Sequence, residues 1–214
     1  MSNNLLAQIT RSIVGGEPDE IVDLTRQALD AGLEPLAIIN QGLTPGMNIV
    51  GDKFATGEYF LPHLIIAASG MKQAMELLEP ELVARQQTVE MAGTVVIGTV
   101  KGDIHEIGKS LVATMLSASG FQVYDLGADV PAGAFIAKVK ETGANLLGLS
   151  ALLTTTMTVQ RDVIEALAEA GIREQVKVMV GGAPASQEWT DSIGADGYAE
   201  DAVAAVELAR RLVD

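Results

Sequence analysis

The sequence of 214 residues contains no cysteine and only two histidines. The lack of cysteine excludes disulfides, iron–sulfur clusters, thiolate nucleophiles and thiolate zinc sites. It is also consistent with a reducing compartment such as the cytoplasm. Aromatic residues make up only 4% of the chain, so alanine, leucine, valine and glycine must fill most of the core.

Long apolar runs and basic segments are missing as well. No stretch approaches the roughly 18 apolar residues needed to span a bilayer, and the N-terminus MSNNLLAQIT does not resemble a signal peptide. The net charge is −14, and residues 1–90 and 91–214 each contribute −7. Because neither half is basic, nucleic acid and anionic membranes are poor partners. We therefore expect a cytoplasmic protein that binds neither.

Residues 1–88 show the spacing of amphipathic helices. NNLLAQITRSIV and PDEIVDLTRQALDAGL have apolar residues three and four positions apart, and a third segment from Pro35 is disturbed near Pro45. A fourth helix starts at LPHL and has an apolar stripe formed by Leu64, Ile65, Ala68, Met71, Met75 and Leu78. Four such stripes predict a helical bundle, followed by a polar linker within residues 80–92.

Residues 89–214 show a different pattern. Five short apolar runs, TVVIGTV, FQVYDLG, NLLGLS, VKVMVGG and the weaker ADGYAE, alternate with helical segments at 107–119, 132–142, 158–170, 186–193 and 201–213. Alternation of strand and helix is typical of a parallel sheet covered on both faces. The predicted fold is therefore α + α/β: an N-terminal helical bundle followed by a flavodoxin-like, doubly wound, five-stranded parallel sheet.

In such a sheet, ligands bind at the carboxyl ends of the strands. Gly102, Asp103 and His105 follow the first strand, Ser150 ends the third, and Gly181-Gly182-Ala183 follow the fourth. Each of these has an ordinary explanation, since a lone Asp or Ser often caps a helix and a lone histidine is often structural. Their shared position nevertheless predicts one ligand-binding edge.

Several familiar chemistries do not match this edge. The sequence has no G-x-x-x-x-G-K-[ST] and no G-x-G-x-x-G after the first strand. A phospho-acceptor domain would cluster acids there, and a serine hydrolase would surround Ser150 with G-x-S-x-G. A zinc site needs three or four protein ligands. A single histidine can still bind a metal that brings its other ligands with it, which points to a macrocycle, with Asp103 orienting the imidazole of His105.

The segment GDIHEIG resembles the D-x-H-x-x-G signature of cobalamin-binding domains, found in methionine synthase, cobalamin mutases and corrinoid proteins of methyltransferase systems. The resemblance extends through KSLVATMLSASGFQVYDLGADVPA, LLGLSALLTTT and VGGAP. The helical half, GMNIVGDKFATGEYFLPHLIIAASGMKQAMELLEP, resembles the cap module that precedes the domain in methyltransferases. The resemblance implies a helical cap domain over 1–88 and a cobalamin-binding domain over 89–214.

The resemblance also implies roles for individual residues. His105 would be the lower axial ligand of cobalt, Asp103 would hydrogen-bond to it, and Thr156 would stand where methionine synthase has a serine that completes this relay. Gly108 would lie beside the corrin, and His63 would have no metal role. The residues that would contact the cofactor are Gly102, Asp103, Ile104, His105, Glu106, Ile107, Gly108, Ser150, Leu152, Thr154, Gly181, Gly182 and Ala183, with Phe54 and Leu61 as apolar cap residues.

The chain has only cap and cobalamin domain, and so it resembles the free-standing corrinoid carrier of a three-component methyltransferase system. Such a carrier, cycling between methylcobalamin and cob(I)alamin, is not an enzyme by itself. Its implied partners are a substrate-specific methyltransferase, an acceptor methyltransferase using tetrahydrofolate or coenzyme M, and a reductive activator. The methyl donor stays open among methylamines, betaines, methanol and phenyl methyl ethers. Two alternatives also stay open, a cobalamin-dependent sensor and a nucleotide-binding α/β module.

Overall fold

A computed structural model describes residues 2–85 and 91–213 of the chain. The chain divides into two compact units, residues 1–90 and residues 91–214. The boundary predicted between residues 88 and 89 lies outside the described residues. Within those residues, no helix is both long and apolar enough to cross a membrane.

The first unit consists of packed helices. They are α1 (Ser2–Gly15), α2 (Pro18–Asp30), α3 (Pro35–Ile38), α4 (Thr44–Ala55) and α5 (Leu61–Ala84). A π-helical turn at Ile39–Leu43 joins α3 to α4, and this turn is the disturbance predicted near Pro45. His63 accepts a hydrogen bond from the Phe60 backbone N–H at 3.1 Å, and its ring stacks on Tyr59.

Two predictions about α5 are wrong. The predicted apolar stripe includes Ile65, but this residue is 50% exposed, because the buried face is instead formed by Leu64, Ala67, Ala74, Leu78 and Leu82. The linker predicted from residue 80 does not begin there, since α5 continues through Pro80 to Ala84. Pro80 is exposed, so water can satisfy the carbonyl that its missing N–H leaves free. Burial of Leu78 and Leu82 on either side stabilises the helix.

The second unit contains a parallel sheet with the strand order β2-β1-β3-β4-β5, which confirms the predicted doubly wound fold. Its strands are β1 (Gly93–Thr99), β2 (Phe121–Asp125), β3 (Leu146–Ser150), β4 (Lys177–Gly181) and β5 (Gly197–Tyr198). The central strands are buried on both faces, as runs such as VVIGT require. The strand predicted from ADGYAE shrinks to two residues.

Helices connect the strands and cover the sheet. They are α6 (Ile107–Ala118), α7 (Ala132–Thr142), α8 (Thr154–Glu169), α9 (Gln187–Ile193) and α10 (Ala202–Val213). Helix α6 packs on α10, and α7 packs on α8. Helix α8 begins at Thr154 and not at residue 158 as predicted. Three threonines are weak helix formers, but the Thr156 hydroxyl donates to the Leu153 carbonyl, at 3.0 Å, and holds the first turn.

Candidate functional site

The carboxyl ends of the three central strands lie side by side. Thr99 pairs with Ser150, and Ser150 pairs with Gly181. Two further backbone hydrogen bonds, from Val100 N to Ser150 O at 3.0 Å and from Ala151 N to Gly181 O at 3.2 Å, continue the pairing beyond the strands. The loops after β1, β3 and β4 therefore leave the sheet along one edge.

Asp103 is the buried centre of this edge, with 1% of the residue exposed. Its Oδ1 accepts hydrogen bonds from the backbone N–H of His105 at 3.0 Å and from His105 Nδ1 at 2.7 Å. Its Oδ2 accepts from the Leu152 backbone N–H at 2.7 Å and from the Thr156 hydroxyl at 2.6 Å. One carboxylate thus ties the loop after β1 to the loop after β3 and to helix α8.

These contacts determine the ionisation of Asp103. Burial by itself raises the pKa of the carboxyl group, but the hydrogen bonds from Thr156 and from the backbone N–H groups of His105 and Leu152 outweigh it, and the pKa falls well below its ordinary value. An ionised carboxylate only accepts hydrogen bonds. Nδ1 of His105 is therefore the donor in this pair, so the neutral form of the ring has its lone pair on Nε2.

The imidazole of His105 is held but not covered. Its side chain is 47% exposed, and its carbonyl oxygen accepts a hydrogen bond from the Thr99 hydroxyl at 3.0 Å. Among the residues described, Nε2 has no hydrogen-bond partner. The site therefore offers one ring nitrogen whose orientation is set by Asp103.

A cavity of about 670 Å³ opens beside His105. Its walls come from β1, β3 and β4 and from helices α6 and α10. Ile104, Ile107 and Leu152 form an apolar rim, and Ile107 is 87% exposed. Such a rim suits a large, flat, largely apolar ligand. The cavity then extends inward to the middle of the strands, as its lining by Gly148 and Met179 indicates.

Glycine is required where β4 ends. Gly182 has a φ of +115°, and a Cβ there would lie 1.8 Å from the Ala151 carbonyl oxygen. The backbone after β4 thus touches the loop after β3 directly. Gly108 differs, because a Cβ at this position would meet no protein atom within 4 Å. The open space above Gly108 is part of the cavity.

Most residues predicted to contact a cofactor line this cavity: Ile104, His105, Glu106, Ile107, Gly108, Ser150, Leu152, Gly181, Gly182 and Ala183. Asp103 and Thr156 lie behind His105. Gly102 and Thr154 are not among the lining residues: Gly102 forms the turn before Asp103, with a φ of +85°, and Thr154 is exposed at the start of α8. Phe54 and Leu61 belong to the first unit, where both are half-buried, and their role as cap residues stays a prediction.

Sequence reasoning missed the inner wall of the cavity. The additional lining residues are Ile97, Lys109, Leu111, Val112, Gly148, Leu149, Met179, Val180, Ala199, Glu200, Asp201, Ala202 and Ala205. The spacing of Ala202 and Ala205 on α10 was the available signal, since small residues on one helix face leave room for a ligand. Lys109 was also unforeseen: its buried ammonium pairs with Asp125 and lies 3.4 Å from Glu106.

The residues present fit a cobalt macrocycle. His105 offers a single nitrogen to the metal, and the apolar rim offers a surface for the macrocycle. The inner cavity has room for a substituent of the macrocycle. In the described part of the chain, the Ser150 hydroxyl has no hydrogen-bond partner, so it is available to a ligand in the cavity.

Comparison with known families agrees with this geometry. Residues 93–207 and residues 5–79 match two family models, each described as a B12 binding domain. Dimethylamine corrinoid protein 2 of Methanosarcina acetivorans is 50% identical, over 98% of this chain and 96% of that protein. Trimethylamine corrinoid protein 1 of the same organism is 46% identical, over 98% and 97%.

Solved structures agree as well. A chain of the methanol:cobalamin methyltransferase complex of Methanosarcina barkeri matches with a TM-score of 0.90 and 33% identity, over 98% of this chain and 80% of that one. The monomethylamine corrinoid protein of Methanosarcina barkeri matches with a TM-score of 0.55 and 41% identity, over 99% of both chains. The predicted family and the predicted cobalamin-type cofactor are thereby confirmed. The chain belongs to the corrinoid proteins, which are built on B12-binding domains.

Proposed function

We propose that this chain is a methyl carrier. It takes a methyl group from a substrate:corrinoid methyltransferase and delivers it to a second methyltransferase, with tetrahydrofolate or coenzyme M as the acceptor. When bound, cobalamin supplies a cobalt centre that accepts and releases a methyl group. The observation that carries the proposal is the Asp103–His105 pair at the mouth of the cavity, in a chain that is 50% identical to a dimethylamine corrinoid protein along almost its whole length.

The residues of the chain would hold and tune the cofactor. His105 would offer Nε2 to the cobalt, and Asp103 accepts the hydrogen bond from Nδ1, which would make Nε2 a better electron-pair donor. Hydrogen bonds from Thr156 and from the Leu152 N–H keep Asp103 ionised and oriented towards the imidazole of His105. Ile104, Ile107 and Leu152 would shield the bound cofactor from water on the side of His105. None of these residues forms a substrate site, so the substrate is selected by the partner enzyme.

A methylated amine is the proposed source of the methyl group. The relatives of this chain include dimethylamine and trimethylamine corrinoid proteins at 50% and 46% identity. A chain of the methanol complex is 33% identical. We further propose that the protein works in the cytoplasm, in agreement with the lack of cysteine.

Reconstitution tests the proposal. Hydroxocobalamin is added to the purified apo-protein, uptake is followed by absorption, and the reduced protein is then offered monomethylamine, dimethylamine, trimethylamine or methanol with the matching methyltransferase. We expect uptake of about one cobalamin per chain and methylation with an amine as donor. Uptake without methylation by any donor would favour a cobalamin sensor, and the lack of uptake would refute the cobalamin site.

A further inference from the structure

Helix α8 carries two buried polar side chains one turn apart, Thr156 and Gln160. Residues four positions apart lie on the same face of a helix. Thr156 contacts Asp103 and thereby supports His105. Gln160 is fully buried and has no part in the function proposed above.

The amide of Gln160 connects three elements. Its Nε2 donates to the Leu149 carbonyl oxygen at 2.9 Å and to the Gly181 carbonyl oxygen at 3.2 Å. Its Oε1 accepts a hydrogen bond from Trp189 Nε1 at 2.9 Å. Leu149 belongs to β3, Gly181 ends β4, and Trp189 lies on α9. A buried amide with all these partners fixes the elements that it joins.

The two residues whose carbonyl groups accept from Gln160 belong to the wall of the cavity. Leu149 and Gly181 both line it, although Gln160 itself does not. Directly after Gly181, Gly182 presses against Ala151 so closely that no side chain fits. A small shift between the ends of β3 and β4 would therefore change the width of the inner cavity.

We propose that Gln160 is a positioning residue that sets the inner cavity for the nucleotide tail of cobalamin. This inference rests on the proposed function. Cobalamin consists of a corrin ring and a nucleotide tail that ends in a flat benzimidazole. With His105 at the mouth beside the exposed rim, the rim would hold the ring, and the inner part between the sheet and α10 would hold the tail. That part is lined by apolar side chains and by glycine backbone, including Gly148 and Gly181.

Cobinamide, which is cobalamin without the nucleotide tail, separates the two parts of the site. Gln160→Leu has a similar volume and removes all three hydrogen bonds. We expect its dissociation constant for aquacobalamin to rise roughly tenfold, which is the size of effect that one or two misplaced hydrogen-bonded groups produce. The dissociation constant for aquacobinamide should change less than about twofold by the same argument. The imidazole pattern in the electron paramagnetic resonance spectrum of the Co(II) form should persist.

Two further variants make the test decisive. Trp189→Phe leaves both donations from Gln160 in place, and it should bind both corrinoids nearly as the original chain does. Gln160→Met, with an unbranched side chain, replaces the leucine variant if that variant fails to fold. An equal loss for both corrinoids, or no loss for either, would overturn the role of Gln160. If the original chain binds neither corrinoid, the proposed function fails instead.

Discussion

At His105, the position of one proton decides what the other ring nitrogen can do. Asp103 is buried, ionised and bonded to Nδ1 at 2.7 Å, so the neutral imidazole has its lone pair on Nε2, and His105 lines the cavity. A histidine without such a partner would exchange tautomers. The hydrogen bond with Asp103 therefore fixes the orientation of the His105 ring even when no metal is bound.

Substitution of His105 tests directly whether its imidazole coordinates cobalt. We expect His105→Ala to retain some cobalamin, because the rim and the inner cavity remain, but to lose coordination by imidazole. Electron paramagnetic resonance of the cob(II)alamin form would record the loss in its nitrogen hyperfine splitting. An unchanged imidazole pattern would mean that another residue, such as His63, is the ligand.

Thr156 offers a second prediction at the residue scale. Thr156→Val keeps the shape of the side chain but removes the hydroxyl that donates to Asp103 at 2.6 Å. Because the acceptor is a buried charge, we expect the free energy of unfolding to fall by about 1.5–3 kcal/mol, measured by urea denaturation. Thr156→Ser keeps the hydroxyl and serves as the control. Equal stability of the valine and serine variants would contradict the role of the hydroxyl.

At the scale of elements, the strand ends and the helix starts form the site together. Strands β1, β3 and β4 bring Thr99, Ser150 and Gly181 into register. Helix α6 begins two residues after His105, and α8 begins four residues after Ser150. The short distance from strand to helix leaves each loop little freedom, which gives the Asp103–His105 pair a defined geometry.

Two glycines at these element ends should respond oppositely to alanine. Gly182→Ala places a Cβ against the Ala151 carbonyl oxygen, at a φ that alanine rarely adopts, so we expect a loss of more than about 3 kcal/mol in unfolding free energy. Gly108→Ala meets no protein atom and lies in a helix, so the apo-protein should gain up to about 1 kcal/mol. Cobalamin binding by Gly108→Ala should nevertheless weaken. Unfolding curves measure the stability of both variants, and cobalamin titration measures the affinity of Gly108→Ala. An unchanged affinity would mean that the corrin ring does not bind beside Gly108.

The elements were predictable to different degrees. Four strands and most helices of the second unit followed from periodicity, because buried parallel strands and amphipathic helices leave strong patterns. The start of α8 was not predictable, since threonines favour extended backbone, whereas here the Thr156 hydroxyl contacts both the Leu153 carbonyl and the distant Asp103. The predicted burial of Ile65 was wrong because spacing alone does not decide which side chains are packed. Ile65 fits the apolar stripe by its spacing, yet the helix buries Ala67 instead.

At the scale of the whole molecule, charge is the dominant feature. The chain carries a net charge of −14, which helps to keep it soluble and which attracts basic surfaces over several ångströms. A carrier must meet two partner enzymes in turn, and electrostatic attraction accelerates such encounters.

We therefore expect added salt to slow methyl transfer between the carrier and its partner enzymes. The rate of methylation by the first methyltransferase, measured with increasing sodium chloride, should decline steadily, because screening shortens the reach of the charges. Cobalamin uptake, which involves a small ligand, serves as the internal control. A methylation rate that does not depend on salt would indicate that the acidic surface plays no part in docking.

The sequence by itself determined the class of fold, the edge of the sheet that carries the site, and the pairing of Asp103 with His105. Periodicity and short spacing are local properties, and the chain displays them without folding. Tertiary structure decided that Asp103 is buried and bonded to Thr156 across 53 positions of sequence, that Gln160 joins β3 to β4, and that α10 closes the cavity. These contacts join residues that are distant along the chain, and only the packing of helices on the sheet brings them together.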